Sequence, residues 1–225
     1  MKKLEIFGDS ILRGVMFDAS QNKYRLCDDH KYTSLADLGV AIQNNSKMGA
    51  TIEKGNAIFE KRLEALDADT TVLLEFGGND CDYDWQAISE NPTGSFLPHT
   101  PEKTFVKLYK SMIEKAKAKG AQVVLATLIP IDCDKYMQWI TRGRSYDNVL
   151  QWLGDIPHLT RWQAYYNQLV ESIAQSLHCP LIDLRGALTT QNKVADLICL
   201  DGIHPTQAGH DIIHRTIRQS VAAAI

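Results

Sequence analysis

The chain has 225 residues, a formal net charge of −3 and 44 % hydrophobic residues, a composition typical of a globular protein. The slightly negative charge provides no broad field for nucleic acid, so we expect no nucleic-acid partner. No apolar stretch has the length of a signal-peptide core or of a membrane span. The five cysteines are odd in number and lack paired spacing, which fits a reducing compartment, and we therefore expect a cytoplasmic protein.

The first predicted elements are a strand and a helix joined by a tight turn. Residues 4–7 form a short apolar run, and apolar residues between 11 and 16 have the spacing of a helix face. Gly8, Asp9 and Ser10 lie between them, and Gly8 allows a sharp turn. A serine at the carboxyl end of the first strand faces the crevice where α/β sheets bind ligands. The alternative is that Ser10 only caps the helix.

Four further strands are predicted in segments rich in β-branched and large apolar residues. These segments are residues 40–42, 71–76, 122–128 and 180–184. Helical patterns cover residues 102–119 and 160–177 and begin again at about Pro205, whereas residues 18–32 are predicted to be a surface connection. Strands that alternate with helices favour a parallel sheet covered on both faces, within one domain spanning residues 1–225.

An aromatic-rich insertion at about residues 129–158 does not fit this alternation, because it is longer than an ordinary connection. Its large aromatic residues are Tyr136, Trp139, Tyr146 and Trp152. One interpretation is a lid or a substrate platform, and the other is a helical hairpin that pads the fold or forms a dimer contact. The pattern does not choose between them, and it leaves the oligomeric state open.

Residues suited to nucleophilic catalysis occur near the ends of the predicted strands. Acyl transfer by a serine requires a nucleophile, a base, a group that orients the base, and donors for the oxyanion. His204 is the candidate base, and Asp201 lies three residues earlier in the same glycine-containing loop, where its carboxylate can orient the imidazole. The alternative is that Asp201 caps the final helix and that His204 is a solvated loop residue.

Three candidate donors for an oxyanion follow the first three strands. They are the backbone N–H of Ser10, the backbone N–H of Gly49 and the side-chain amide of Asn79. All three are expected at the edge of the sheet where the carboxyl ends of parallel strands meet. Each also has a structural alternative, since Asn79 is suited to a turn and Gly49 to the end of a strand.

Taken together, four short motifs resemble those of the SGNH (GDSL-type) hydrolase family over nearly the whole chain. They are Gly8-Asp9-Ser10-Ile11, the Gly49 loop, Gly77-Gly78-Asn79-Asp80 and Asp201-Gly202-Ile203-His204-Pro205, in that order. The resemblance implies a flavodoxin-like three-layer α/β/α sandwich with a central parallel five-stranded sheet. It implies a catalytic triad of Ser10, His204 and Asp201. It also implies an oxyanion hole formed by Ser10, Gly49 and Asn79.

Two details depart from the family pattern. Ile11 stands where the family usually has leucine, a near-isosteric change, and the motif around Gly49 is the loosest of the four. Asp9 and Asp80 also belong to the motifs, and we interpret them as hydrogen-bond acceptors that stabilise loops rather than as participants in the chemistry.

The resulting hypothesis is a serine esterase that acts on a small-molecule carboxylic ester and needs no cofactor. Tyr83 and Trp85, in the polar loop of residues 82–100, are the candidate substrate-binding residues. They favour an acyl or acetyl ester of a sugar or another polar alcohol. A lysophospholipase- or thioesterase-type acyl hydrolase is an alternative within the family. A non-catalytic flavodoxin-like ligand-binding module is an alternative of another class.

No metal site is predicted. His210 and His214 stand one turn apart on the last predicted helix, which is a spacing found in metal sites. Because Asp211 lies beside them and solvent is expected nearby, we interpret the two histidines as a surface pair.

Overall fold

A five-stranded parallel sheet lies at the centre of the computed structural model, which describes residues 2–191 and 193–224. The strands along the chain are β1 (Lys3–Gly8), β2 (Val15–Asp18), β3 (Lys23–Leu26), β4 (Ala41–Asn44), β5 (Thr70–Glu75), β6 (Gln122–Ala126) and β7 (Leu181–Ile182). In the sheet the order is β4-β1-β5-β6-β7, and every neighbouring pair is parallel. The predicted sheet is confirmed, with bounds shifted by a few residues.

Helices cover both faces of this sheet. Along the chain they are α1 (Ser10–Arg13), α2 (Ile52–Arg62), α3 (Trp85–Glu90), α4 (Glu102–Ala118), α5 (Cys133–Ile140), α6 (Tyr146–Leu153), α7 (His158–Ser176), α8 (Leu184–Thr189) and α9 (Gln207–Ala224). Shorter 3-10 helices span Thr33–Leu38, Leu63–Ala65 and Val194–Leu197. Helices α2, α4 and α7 pack on one face, and α8 and α9 pack on the other. The predicted three-layer α/β/α arrangement is therefore confirmed.

Side chains of the central strands alternate between the two helical layers. Phe7 and Leu74 pack with α2, α4 and α7, whereas Ile6 and Leu73 pack with α8 and α9. Because both faces are covered, these strands are apolar on both sides. Glu75, the last residue of β5, breaks this rule, since a carboxyl group stands there at only 2 % exposure.

The segment after α1 is a β-hairpin, whereas the sequence predicts that the helix continues to residue 16 and is followed by a surface connection. Helix α1 ends after one turn because Gly14 caps it in a left-handed conformation with φ 81°. Strands β2 and β3 then pair antiparallel outside the main sheet. The first three residues of β2 are buried, so Val15 and Met16, which continue the helical spacing of Ile11 and Leu12, belong instead to a strand that packs on the core.

Two other predicted segments are corrected. The loop of residues 82–100 contains α3, whose N-cap Asp84 accepts hydrogen bonds from the backbone N–H groups of the second and third helical residues. The last helix begins at Gln207, because Pro205 pairs with Ile198 in an isolated β-bridge instead of occupying the first helical turn.

The direction of the crossovers changes between β1 and β5. The chain passes from β1 to β4 on one side and returns to β5 on the other, so the carboxyl ends of β1 and β5 flank an open crevice. Such a switch point is where open α/β sheets bind ligands. Ser10 follows β1 directly and Asn79 follows β5 by a short turn, which makes this crevice the candidate site.

Candidate active site

Ser10 is the first residue of α1, at the end of β1. Asp9 caps the helix by accepting a hydrogen bond from the backbone N–H of Ile11 at 2.8 Å, so the cap is Asp9 and not Ser10. Gly8 is needed just before, because a Cβ there would lie 3.0 Å from the carbonyl oxygen of Glu75 and 3.2 Å from Leu12. The Ser10 side chain is consequently left to point into the crevice, at 6 % exposure.

His204 and Asp201 complete a continuous chain of hydrogen bonds with Ser10. His204 Nε2 lies 2.9 Å from Ser10 Oγ, and His204 Nδ1 lies 2.6 Å from Asp201 Oδ2. The second carboxylate oxygen of Asp201 accepts the backbone N–H groups of Ile203 at 3.2 Å and of His204 at 3.1 Å. Asp201 is fully buried, so the alternatives of a helix cap and a solvated histidine are wrong.

The loop that carries His204 is fixed by the insertion. The backbone N–H of Asp132 donates to the carbonyl oxygen of Gly202 at 2.9 Å, and α5 begins there. Gly202 has φ 79°, and a Cβ at this position would lie 2.3 Å from the backbone nitrogen of Tyr136. Only glycine fits this approach, so the insertion and the histidine loop form one packed unit.

Asn79 lies at the same crevice, with its side-chain amide already engaged. The Nδ2 group donates to Asp9 Oδ2 at 2.9 Å and to the backbone oxygen of Ala50 at 3.2 Å. A flipped amide would place Oδ1 against two oxygens, so the hydrogen-bond network sets the orientation of the side chain. Asn79 and Ser10 line the same cavity.

Gly49 occupies the turn between β4 and α2. Its φ of 67° is in the left-handed region, and the space where a Cβ would stand is open to 4 Å. The N–H of Lys47 donates to the carbonyl oxygen of Gly8 at 3.1 Å, which ties this loop to the end of β1. The N–H of Gly49 makes no hydrogen bond with a described residue, so it remains available as a donor at this edge of the sheet.

Three buried carboxyl groups lie beneath the crevice: Asp9, Glu75 and Asp80. Burial raises the pKa of Asp9 to about 6 and that of Asp80 to about 7. Burial, and then the neighbouring charge of Asp9, raise the pKa of Glu75 well above its usual value. Asp80 accepts the N–H of Ile52 at 2.9 Å, and the predicted roles of Asp9 and Asp80 as loop-stabilising acceptors are confirmed.

A sequence model of the GDSL-like lipase/acylhydrolase family matches residues 6–212. The chain belongs to this family. It is therefore a hydrolase that acts on ester bonds, which disfavours the non-catalytic ligand-binding module. Comparison with curated protein sequences gave no significant match.

Several solved structures resemble the chain along its whole length. A lipase/acylhydrolase from Enterococcus faecalis is 21 % identical with a TM-score of 0.62, covering 100 % of this chain and 97 % of that one. The acetylxylan esterase Axe2 from Geobacillus stearothermophilus is 20 % identical with a TM-score of 0.65, over 98 % and 94 % of the two chains. TesA is 19 % identical with a TM-score of 0.64, over 100 % of both chains. At these identities the likeness supports the GDSL-type fold and not a substrate.

The insertion of this family member supplies one wall of the cavity at Ser10. Helices α5 and α6 pack on α3 through a cluster that buries Ile88, Met137 and Val149. Side chains from the insertion and from the start of α7 then face the cavity, namely Ile131, Tyr136, Leu153, His158 and Leu159. The segment thus contributes directly to the site beside Ser10.

Tyr83 and Trp85, the candidate substrate-binding residues, also line this cavity, and both are buried. Their exposures are 8 % and 7 %, and Tyr83 stacks on Trp162 with a ring separation of 5.9 Å. The indole N–H of Trp85 donates to Asp82 Oδ1 at 2.7 Å, and the hydroxyl of Tyr136 donates to the same oxygen at 2.7 Å. The two rings therefore form cavity wall and do not form an open platform.

Sequence reasoning missed two residues of the site. Tyr24 of β3 packs edge-on against the ring of His204 with a centroid separation of 5.1 Å, although residues 18–32 were expected on the surface. The carboxyl of Glu75 faces the cavity from the end of β5. A charged residue that closes an otherwise apolar strand was the signal for Glu75, whereas Tyr24 depends on a hairpin that local periodicity does not predict.

The interpretation of His210 and His214 as a surface pair is wrong. Their exposures are 0 % and 5 %, because the first turns of α9 pack beneath the hairpin.

Within the described residues, none of the helices is both long and apolar enough to span a bilayer.

Proposed function

We propose that the chain is a serine esterase in which Ser10, His204 and Asp201 form the catalytic triad. The observation that carries this proposal is the unbroken series of contacts from Asp201 Oδ2 through the imidazole to Ser10 Oγ, at 2.6 and 2.9 Å. Both distances lie within the reach required for proton transfer from a nucleophile to a base. Burial of all three side chains strengthens the electrostatic part of these contacts.

In this mechanism Ser10 Oγ attacks the carbonyl carbon of the ester while His204 Nε2 takes its proton. Asp201 keeps Nδ1 protonated, leaving the lone pair on Nε2, and stabilises the imidazolium that forms. His204 then returns the proton to the leaving alcohol. Water, activated by the same imidazole, releases the acid from the acyl-enzyme and restores Ser10.

The developing oxyanion would meet the backbone N–H groups of Ser10 and Gly49 and the amide of Asn79. The backbone N–H of Gly49 has no hydrogen-bond partner among the described residues, which supports its role as an oxyanion donor. Asn79 lines the cavity, which supports the same role for its side-chain amide. Because Asp9 Oδ2 and the oxygen of Ala50 already accept from Nδ2, one of its N–H groups must be shared with the oxyanion. An oxyanion is the stronger acceptor in this water-poor crevice, which favours that sharing in the transition state.

The cavity supports a short acyl group on the substrate. Its volume is about 80 Å³, below the roughly 300–1,000 Å³ of sites that enclose a whole small molecule. Its wall beyond Ser10 is mostly apolar, with Leu128, Ile129 and Leu159. We therefore propose that an acetyl or other short acyl chain fills the cavity and that a polar alcohol, such as a sugar, remains outside. The structural neighbour described as an acetylxylan esterase is consistent with this substrate class.

A series of p-nitrophenyl esters from acetate to octanoate tests the acyl-length proposal. We expect kcat/KM to be highest for acetate to butyrate and to fall at least tenfold by octanoate. In a cavity with room for a long chain, each added methylene would contribute about 0.8 kcal/mol, roughly a fourfold rise in kcat/KM. If kcat/KM instead continued to rise by that factor per methylene up to octanoate, the protein would be a hydrolase of the lysophospholipase or thioesterase type. Leu159→Ala, which enlarges the cavity, is expected to move the optimum towards longer chains.

Asn79→Ala is expected to lower kcat about a hundredfold and leave KM nearly unchanged. A donor that strengthens only in the transition state affects kcat, and its loss costs about 3 kcal/mol. Asp9 and the oxygen of Ala50 also lose a donor, so Tm should fall by roughly 3–10 °C. Kinetics measured far below Tm, per folded active site, separate the two effects.

The matched control is Asn44→Ala. Asn44 donates its amide to the carbonyl oxygen of Leu12 at 2.8 Å near the same edge of the sheet, but it does not line the cavity. This variant should lose stability to a similar extent and keep its kcat. If Asn79→Ala behaves like Asn44→Ala, the amide of Asn79 serves the scaffold only, and the oxyanion is bound by backbone N–H groups alone.

A further inference from the structure

Cys27, His210 and His214 form a compact buried cluster behind the hairpin that follows Ser10. One potential ligand atom from each side chain lies within 4.8 Å of the other two. Their exposures are 1 %, 0 % and 5 %, and Cys27 forms no disulfide. The cluster joins the end of β3 to the first turns of α9, and none of its members takes part in the proposed esterase mechanism.

Two ring nitrogens in this cluster lack a hydrogen-bond partner among the described residues. They are His210 Nδ1 and His214 Nε2, and each has almost no solvent-exposed surface. A buried polar atom without a partner is costly, so such atoms are rare and point to a missing water or ion. Together with the buried thiol of Cys27, these two nitrogens form a donor set suited to a soft or borderline metal ion.

The hydrogen bond on the other side of the His210 ring fixes its tautomer. His210 Nε2 lies 2.9 Å from the backbone oxygen of Val15, so the proton belongs on Nε2 and the lone pair on Nδ1. Metal-binding histidines are held in the same way, with the non-ligating N–H donated to a carbonyl or carboxylate oxygen.

We propose that Cys27, His210 and His214 bind a divalent transition-metal ion, with Zn²⁺ as the ion that fits this donor set best. In a tetrahedral zinc site these donor atoms would lie about 3.3–3.6 Å apart, so zinc binding would contract the present cluster, whose atoms lie within 4.8 Å of one another. Because cysteine ligates a metal as the thiolate, metal binding releases one proton from the Cys27 sulfur to solvent.

The ion would link the hairpin that follows Ser10 to helix α9, which follows His204. Cys27 follows the hairpin whose β2 starts just beyond the Ser10 helix, and His210 lies six residues after His204. A metal bond between them limits the separation of the Ser10 and His204 segments on local unfolding. The ion contacts no triad atom, so its expected effect is on stability rather than on the chemical step.

Titration of metal-free full-length protein with Co²⁺ and Zn²⁺ tests the proposal. We expect one Co²⁺ per chain, with a near-ultraviolet band from thiolate-to-metal charge transfer, and displacement of Co²⁺ by Zn²⁺. Free Zn²⁺ at a hundredfold excess over Kd should raise Tm by roughly 5–10 °C. Chelation should lower Tm but leave kcat at 25 °C unchanged, which keeps this test independent of the esterase proposal.

Cys27→Ser should remove the charge-transfer band and weaken Co²⁺ binding at least tenfold, and His214→Gln should weaken it similarly. Cys179→Ser replaces another buried cysteine outside the cluster and should bind Co²⁺ like the natural chain. The proposal fails if the natural chain binds no stoichiometric Co²⁺ or Zn²⁺, since a buried water would then explain the unpaired nitrogens. It also fails if the band persists in Cys27→Ser or disappears in Cys179→Ser.

Discussion

Ser10→Ala is expected to lower kcat for a short-chain ester by about 10⁴- to 10⁶-fold, with Tm changed by less than about 3 °C. The loss is large because no other described hydroxyl lies within hydrogen-bond distance of His204 Nε2. The residual rate would come from ester binding and from oxyanion donors, which the substitution leaves in place. Steady-state kinetics and thermal unfolding on the same preparation measure both quantities.

Ser46→Ala is the matched control for that variant. Ser46 is also fully buried near the carboxyl edge of the sheet, and its hydroxyl has no hydrogen-bond partner among the described residues. Its removal should leave kcat within about twofold of the natural chain. If Ser10→Ala retained more than a tenth of the natural kcat, the nucleophile would have to be another group.

Asp201→Asn is expected to lower kcat about 10⁴-fold while keeping the fold. Asp201 Oδ1 accepts two backbone N–H groups, from Ile203 and His204, so the oxygen of an asparagine would stay there and its NH₂ would face the ring. His204 Nδ1 must then accept a hydrogen bond and Nε2 must carry the proton. In that tautomer Nε2 cannot take the proton from Ser10, so the variant tests the orientation of the base and not only its presence.

Asp196→Asn serves as the control, because Asp196 lies in the preceding segment with an exposed side chain. It should have a normal kcat. The NMR chemical shifts of the two imidazole nitrogens of His204 in Asp201→Asn would report the tautomer directly. If Asp201→Asn kept a kcat within tenfold of the natural chain, Asp201 would be a structural residue of the loop.

The sequence predicts the strands of the sheet and the residues that meet in the candidate site, but it does not establish their catalytic roles. Apolar runs that end in glycine and polar residues predict all five strands of the sheet, because strands buried on both faces are almost continuously apolar. The motifs place Ser10 and Asn79 after strands and Asp201 and His204 just before the last helix. The structure brings all four residues to one crevice. Their catalytic roles remain predictions until the variants are measured.

The features that were not predicted depend on contacts between distant segments. Strand β2 has the spacing of a helix, and its pairing with β3 decides otherwise. His210 and His214 follow the pattern of a helix surface, but β2 and the segment after β3 cover them. The insertion likewise contains ordinary helical patterns, and only its contact with Gly202 reveals that it holds the loop of Asp201 and His204. Periodicity predicts which face of a helix or strand is apolar, whereas only the packing of distant segments shows which element covers that face.

The most direct test of the central claim is reaction with a fluorophosphonate ester, followed by intact-mass measurement and peptide mapping. We expect one adduct per chain, on the peptide that contains Ser10, with loss of esterase activity in proportion to labelling. Ser10→Ala should not react, and Ser46→Ala should react like the natural chain. Absence of an adduct on the natural chain, or an adduct on a residue other than Ser10 that accompanies the loss of activity, would contradict the assignment of Ser10 as the nucleophile.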